Sequence, residues 1–329
     1  MNRGFSRWVG RAAGVLTGAA LMLTVVPRAQ EIPLAPYEEV KPWGPSVAGE
    51  KPWEPAGVET DAQGRVVFLR RSDPSVWVLE PSGKVVRSFG EALFVWPHGI
   101  HIDRQGNIWG TDCAVGPSAG SQPQLQPLNA KAIAAKRGHL VYKFSPTGKI
   151  LMTLGKAGQP GTGTDQFYCP SDVITASDGS IFVSDGHEGA FPNGRILKFT
   201  KDGKFIKTWG RKGKGPGEFA SPHTMAWDSQ GRLFVGDRSN GRIQIFDQEG
   251  NFLTQYTGFG GPSGIVITSD DTMYVCCANK SVYIGSARTG EVTGVIKDVW
   301  AEGIAADEQG NIYVGEVFRH VWRKFVPKK

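Results

Sequence analysis

Along most of the chain apolar and polar residues alternate in short runs rich in Val, Ile, Phe and Trp, and a glycine-centred turn separates each run from the next. A period of two bounded by turn residues marks β-strands joined as hairpins. The pattern is most complete in Ser221–Phe246, SPHTMAWDSQGRLFVGDRSNGRIQIF. Its centre, D-x-x-G-x-Φ-Φ-V-x-D with Φ apolar, sets a Gly turn between two strand-like runs. That centre recurs as DAQGRVVF around Gly64, DRQGNIWGTD around Gly106, ASDGSIFVSD around Gly179, TSDDTMYVCC around Asp271 and DEQGNIYVGE around Gly310. With Gly231 included, the successive intervals are 42, 73, 52, 40 and 39 residues. A second turn, PSGK, SPTGK, TKDGK, DQEGN or ARTG, follows each of the first five copies, so a unit holds four short strands. A period near 40 with four strands per unit predicts an all-β, six-bladed β-propeller, in which each blade buries its faces against its neighbours.

The two ends read differently. Residues 1–29 carry Arg3, Arg7 and Arg11, the apolar run Ala12–Val26, and Pro-Arg-Ala before Gln30. That layout predicts a signal peptide, with an uncleaved anchor as the alternative, and places the mature protein in a periplasm or outside the cell, free of the membrane after cleavage. Removing Arg3, Arg7, Arg11 and Arg28, with no acidic residue lost, takes the net charge from +6 to +2, so the charge offers no support for nucleic-acid binding. Residues 30–56 hold Pro33, Pro36, Pro42, Pro45, Pro52 and Pro55 and read as an extended segment. Residues 57–329 form the propeller. The copy at Gly310 ends in VWRKF without an outer strand, so the extended segment is expected to supply it and remove an open sheet edge.

Two long intervals mark inserts at the same place in the blade, Pro117–Gly138 in blade 2 and Gly186–Gly194 in blade 3, over one mouth of the ring. The first contains NAKAIAAKRG, which reads as a short helix stopped by Gly138. Aligning the starts of the six innermost strands gives Ala56, His98, Ser171, His223, Ser263 and Glu302. Blades 2, 4 and 6 thus present two His and one Glu at the channel, about 120° apart by six-fold geometry. Two imidazoles and a carboxylate suit catalytic zinc, or iron(II) in a facial arrangement. Hydrogen-bonded mouth histidines are the alternative. After the second strand, Arg71 in blade 1 and Arg238 in blade 4 share a repeat position, where paired guanidinium groups suit a carboxylate. Surface pairing with Asp73 or Asp237 is the other option. Trp96, Trp109 and Trp300 are candidates for the mouth, with core packing the alternative for Trp109.

WPHGIHIDRQGNIWGTD, FYCPSDV, IFVSDG, GPGEFASPHTMA and GDRSNGRIQIF resemble the NHL-repeat propeller of peptidyl-α-hydroxyglycine α-amidating lyase, from about Val58 to Phe325. The resemblance implies a zinc held by three His that helps break a carbinolamide C–N bond, releasing glyoxylate and a peptide amide. It also implies a Tyr base and two Arg on the substrate. His98 and His223 match two zinc ligands, Arg238 and Arg71 match the arginines, and the carbonyls of Val58 and Ile100 match ligands of a structural calcium. Glu302 replaces the third zinc ligand and can still ligate. Gly303 replaces a calcium-ligating Asp, so calcium loses a ligand, and Trp300 replaces a Met. His187, beside a four-residue insertion, falls at the Tyr and could serve as general base near neutral pH. The family's partner for Cys169 is Glu188 here, so the pairing of Cys113, Cys169, Cys276 and Cys277 stays open.

Three function classes follow. The first is a monomeric zinc lyase whose small substrate or peptide C-terminus carries a carboxylate, with Arg238, Arg71 and His187 catalytic. The second is a non-catalytic propeller binding peptide, protein or glycan. The third, a lactonase-like hydrolase, wants more carboxylates at its metal than His98, His223 and Glu302 provide.

Overall fold

The computed structural model describes Met1 and residues 31–45, 54–113, 134–187 and 192–329. The chain divides into two compact units, Met1–Glu31 and Ile32–Lys329. In the first, only the end residues are described, so the expected signal peptide lies outside the described residues. Most of the helix expected in NAKAIAAKRG, and the tip of the blade-3 insert, lie outside them too.

The second unit contains six four-stranded antiparallel sheets among the described residues. Blade 4 shows the plan: Pro222–Trp227 pairs with Leu233–Asp237, which pairs with Arg242–Phe246, which pairs with Phe252–Thr257. The turn around Gly231 adopts a φ of 72°, the left-handed conformation for which glycine carries no steric penalty. The five other copies of this turn fall between the first and second strands of their blades. The sixth sheet runs in the order Tyr37–Val40, Val321–Pro327, Ile312–Glu316, Gly303–Ala306. The extended segment therefore closes the ring: Tyr37 lies opposite Pro327 and Val40 opposite Lys324.

The core lies between blades rather than at one centre. Trp109, Val141, Phe167, Val173, Val183 and Leu197 fill the space between blades 2 and 3, each almost wholly buried. Burying one such side chain contributes roughly 1.5–3 kcal/mol. Trp109 is thus a core residue and not part of the mouth; its indole Nε1 donates to Asp103 Oδ2 at 3.1 Å.

The innermost strands leave little room on the axis. A Cβ at Gly99 would lie 2.5 Å from the Ser171 carbonyl oxygen, and one at Gly303 would lie 2.6 Å from that of Ala56. What remains is a small axial cavity of about 60 Å³, lined by Ala56, His98, Ser171, His223, Ser263 and Glu302.

Candidate functional site

Three buried carboxylates aim the mouth of the channel. Asp112, Asp185 and Asp237 end the second strands of blades 2, 3 and 4. Each accepts backbone amides from two residues just ahead of the inner strand: Val95 and Trp96, Tyr168 and Cys169, Ala220 and Ser221. A proline follows in each case, Pro97, Pro170 or Pro222, and the pairing register shifts immediately after it. A bulge of this kind re-aims the next side chain, and those side chains are His98, Ser171 and His223.

The imidazoles are held from behind. His98 Nδ1 donates to the Ser171 carbonyl at 2.7 Å, and His223 Nδ1 donates to the Ser263 carbonyl at 2.8 Å. A carbonyl only accepts, so in each neutral ring the proton sits on Nδ1 and the Nε2 lone pair faces the axis. Glu302 Oε1 lies 3.5 Å from His98 Nε2 and 3.4 Å from His223 Nε2. Three acceptor atoms therefore converge, the arrangement a cation resolves. Burial, then Arg238 and His98, push His223 down to about 4, which keeps its lone pair available. Burial alone would raise Glu302, but Arg238 and the two imidazoles hold it well below the usual carboxylate range.

His187 joins this group. Its ring centroid lies 5.1 Å from each of the rings of His98 and His223, which are themselves 4.5 Å apart. Potential ligand atoms of His98, His187, His223 and Glu302 all lie within 4.8 Å of one another. Burial, then His223 and His98, push His187 well below its ordinary value. His98 Nε2 and His187 Nε2 are buried with no hydrogen-bond partner. Orphaned lone pairs, imidazoles oriented from behind and a carboxylate make a donor set that fits a divalent transition metal.

Both arginines reach the same carboxylate. Arg238 Nη1 is 3.5 Å from Glu302 Oε2 and donates to His223 Nε2 at 2.9 Å. Arg71 Nη2 is 3.7 Å from Glu302 Oε1, and Arg71 Nη1 is 3.6 Å from Glu54 Oε2. The pairings with Asp73 and Asp237 do not form: Asp73 receives the Ala92 amide, and Asp237 binds Arg242 and Asn240. The Arg71 guanidinium lies 4.0 Å over the ring of Trp96, which packs against His98 and His187. Trp300 stacks on Phe318.

The structure thus gathers His98, His187, His223, Glu302, Arg71 and Arg238 in one place. Two residues of the site were not anticipated. Glu54, 5 % exposed, stands just before Pro55 as Trp96 stands before Pro97, a shared pattern that could have drawn attention to it. Cys113, for which no partner was evident, forms a disulfide with Cys169. It joins the residue after Asp112 to the residue before Pro170, tying blade 2 to blade 3 beside His187. Cys276 and Cys277 are buried free thiols. For calcium, Val58 and Ile100 line the axial cavity, while Gly303 brings no carboxylate to it.

The fold and repeat together define the class: this chain is a six-bladed β-propeller built of NHL repeats. A family model described as a 6-bladed beta-propeller matches residues 164–231, and one for the NHL repeat matches residues 219–246. Its homologues include the peptidyl-α-hydroxyglycine α-amidating lyases. It is similar to peptidyl-alpha-hydroxyglycine alpha-amidating lyase 1 of Drosophila melanogaster, with 33% identity over 56% of this chain and 31% of the relative. It is also similar to mouse peptidyl-glycine alpha-amidating monooxygenase, with 28% identity over 86% of this chain and 33% of the relative. The chain thus spans about a third of the length of the curated relatives it matches first. Mouse NHL repeat-containing protein 3 is 27% identical over 80% of this chain and 76% of the relative.

Proposed function

We propose that this chain is an exported, metal-dependent carbon–nitrogen lyase that takes a small carbinolamide bearing a carboxylate, such as a peptide ending in α-hydroxyglycine. The observation that carries this reading is the meeting of His98, His187, His223 and Glu302 within 4.8 Å, with Arg71 and Arg238 on the same carboxylate. Similarity to the amidating lyases supports it.

A zinc or iron(II) ion held by His98, His223 and Glu302 would supply Lewis acidity toward the substrate hydroxyl oxygen. With the ion's two charges added, the four side chains Arg71, Arg238, Glu54 and Glu302 leave the mouth net positive, suited to an anionic substrate. Arg238 and Arg71 are placed to take its carboxylate, Arg238 by turning from His223. Cleavage then needs a base for the hydroxyl proton: the carbonyl of glyoxylate forms, the C–N bond breaks, and a proton returns to the amide nitrogen. Two unpaired, buried acceptors stand at the mouth for this task, His187 Nε2 and Glu54 Oε2. Burial raises the Glu54 carboxyl against the pull of Arg71, toward the range a base uses at neutral pH.

The test is elemental analysis of the purified protein followed by an assay of glyoxylate release from a peptidyl α-hydroxyglycine. About one zinc or iron per chain with release supports the proposal; no metal after reconstitution sinks it. A binding propeller is the second reading, favoured by the contact of Arg238 Nη1 with His223 Nε2, which occupies a ligand position with a protein cation. In that case a peptide bearing a free carboxylate binds without turnover.

A further inference from the structure

We infer that His187 is a fourth protein ligand of the metal centre rather than the base that moves the substrate proton, which makes the centre one of three imidazoles and one carboxylate. The inference rests on the metal reading above and assigns a role within that site.

The placement of the ring is the first argument. A general base stands where the substrate hydroxyl can reach it, whereas His187 packs ring to ring against both other imidazoles. The three centroids form a near-equilateral triangle with sides of 4.5, 5.1 and 5.1 Å. Its Nε2 is buried and without a hydrogen-bond partner. One ion in the triangle would satisfy Nε2 of all three rings together with the Glu302 oxygen.

The second argument is how firmly the backbone beneath the ring is held. The Gly186 amide donates to the Cys169 carbonyl at 2.9 Å, and the Ser171 hydroxyl donates to the Gly186 carbonyl at 2.6 Å. Lys212 Nζ donates to the carbonyls of both His187 and Ala220, at 3.1 and 2.6 Å, tying this turn to the entrance of blade 4. Cys169 is itself fixed to Cys113, and the Trp96 ring packs edge-on to the His187 ring at 5.4 Å. Such supports orient metal ligands to within the tolerance coordination needs.

The assignment changes the chemistry. Four protein donors fill a tetrahedral zinc, which is the pattern of a closed structural site. A catalytic ion here must accept five or six ligands, as iron(II), manganese(II) or an expanded zinc does. Proton transfer then falls to Glu54, across the Arg71 guanidinium from Glu302.

Pulsed electron paramagnetic resonance of the full-length protein loaded with one Cu(II) per chain counts the coordinated imidazoles. Three in the wild type, two in His187→Phe, and three in Glu54→Gln support the inference. Zinc affinity should also fall at least about 10-fold in His187→Phe. Two imidazoles in the wild type overturn the assignment while leaving the metal reading intact; no uptake of Cu(II) or zinc overturns both. The wild-type count decides independently of any variant. His187→Gln, checked by its circular dichroism melt, guards against a phenylalanine that disturbs the fold.

Discussion

The same register position has two different uses around this ring. In blades 2, 4 and 6 it carries His98, His223 and Glu302, and in blades 1, 3 and 5 it carries Ala56, Ser171 and Ser263. The large side chains fill the axis, and the small residues leave space for them. The small residues also act through their backbones, because the carbonyl of Ser171 holds His98 and that of Ser263 holds His223, each from the next blade round. One set supplies donor atoms and the other orients them. An odd–even alternation of this kind is how a six-fold repeat yields a three-fold site.

The most severe way to break this comparison is to remove the donors. His98→Ala, His223→Ala and Glu302→Ala are each expected to weaken zinc binding by roughly 100-fold or more, since each deletes a ligand rather than its support. Metal titration against a chromophoric chelator measures this. Equal affinity in any one of them would remove that blade from the centre.

A smaller effect is expected one level deeper, where blade 2 again leans on blade 3: His101 Nε2 lies 3.0 Å from Thr175 Oγ1. Burial pushes His101 down to about 4 from its ordinary 6.5, against the pull of Asp103. Between those values the unfolded chain binds the extra proton, so stability contributed by neutral His101 is lost as pH falls from about 6.5 toward 4, by at most about 3 kcal/mol. Glu59, 4.0 Å from His101, and Asp172 are both pushed up to about 7 by burial and act in the opposite sense, losing stability as pH rises toward 7. The readout is therefore the difference in Tm between wild type and His101→Gln at pH 7 and pH 5. The loss at pH 5 should be smaller in the variant; an unchanged pH dependence would show that His101 does not carry it.

What could be read from the sequence followed what repeats. Six Gly-centred turns at near-constant spacing imply six blades, and the missing outer strand after Val321–Pro327 pointed to the extended segment that supplies it. His98, His223 and Glu302 were legible for the same reason, as departures from a register that is otherwise small. Glu54 escaped because it sits in a proline-rich stretch ahead of the first apparent copy. The placement of His187 was obscured by an insertion, which breaks alignment without preventing contact. The Cys113–Cys169 bond joins residues 56 apart in sequence that only the packing of adjacent blades brings together. The carbonyls that orient the histidines leave no side-chain signal at all, because every residue type has one.

The subtlest test compares two serines that share a position. The Ser171 hydroxyl donates to the Gly186 carbonyl at 2.6 Å, under His187, while the Ser263 hydroxyl is buried with no hydrogen-bond partner. Both keep their backbone carbonyls when changed to alanine, so the hold on His98 and His223 survives in each variant. Ser171→Ala should still cost about 1 kcal/mol, because it strands a carbonyl, and should loosen the turn that carries His187, weakening zinc binding a few-fold. Ser263→Ala, which removes an unsatisfied hydroxyl, should change stability by less than about 0.5 kcal/mol and leave metal affinity alone. Urea unfolding with and without zinc separates the two effects. If the variants behave alike, the odd blades act only through their backbones; if only Ser171→Ala affects metal binding, blade 3 also supports a ligand through its side chain.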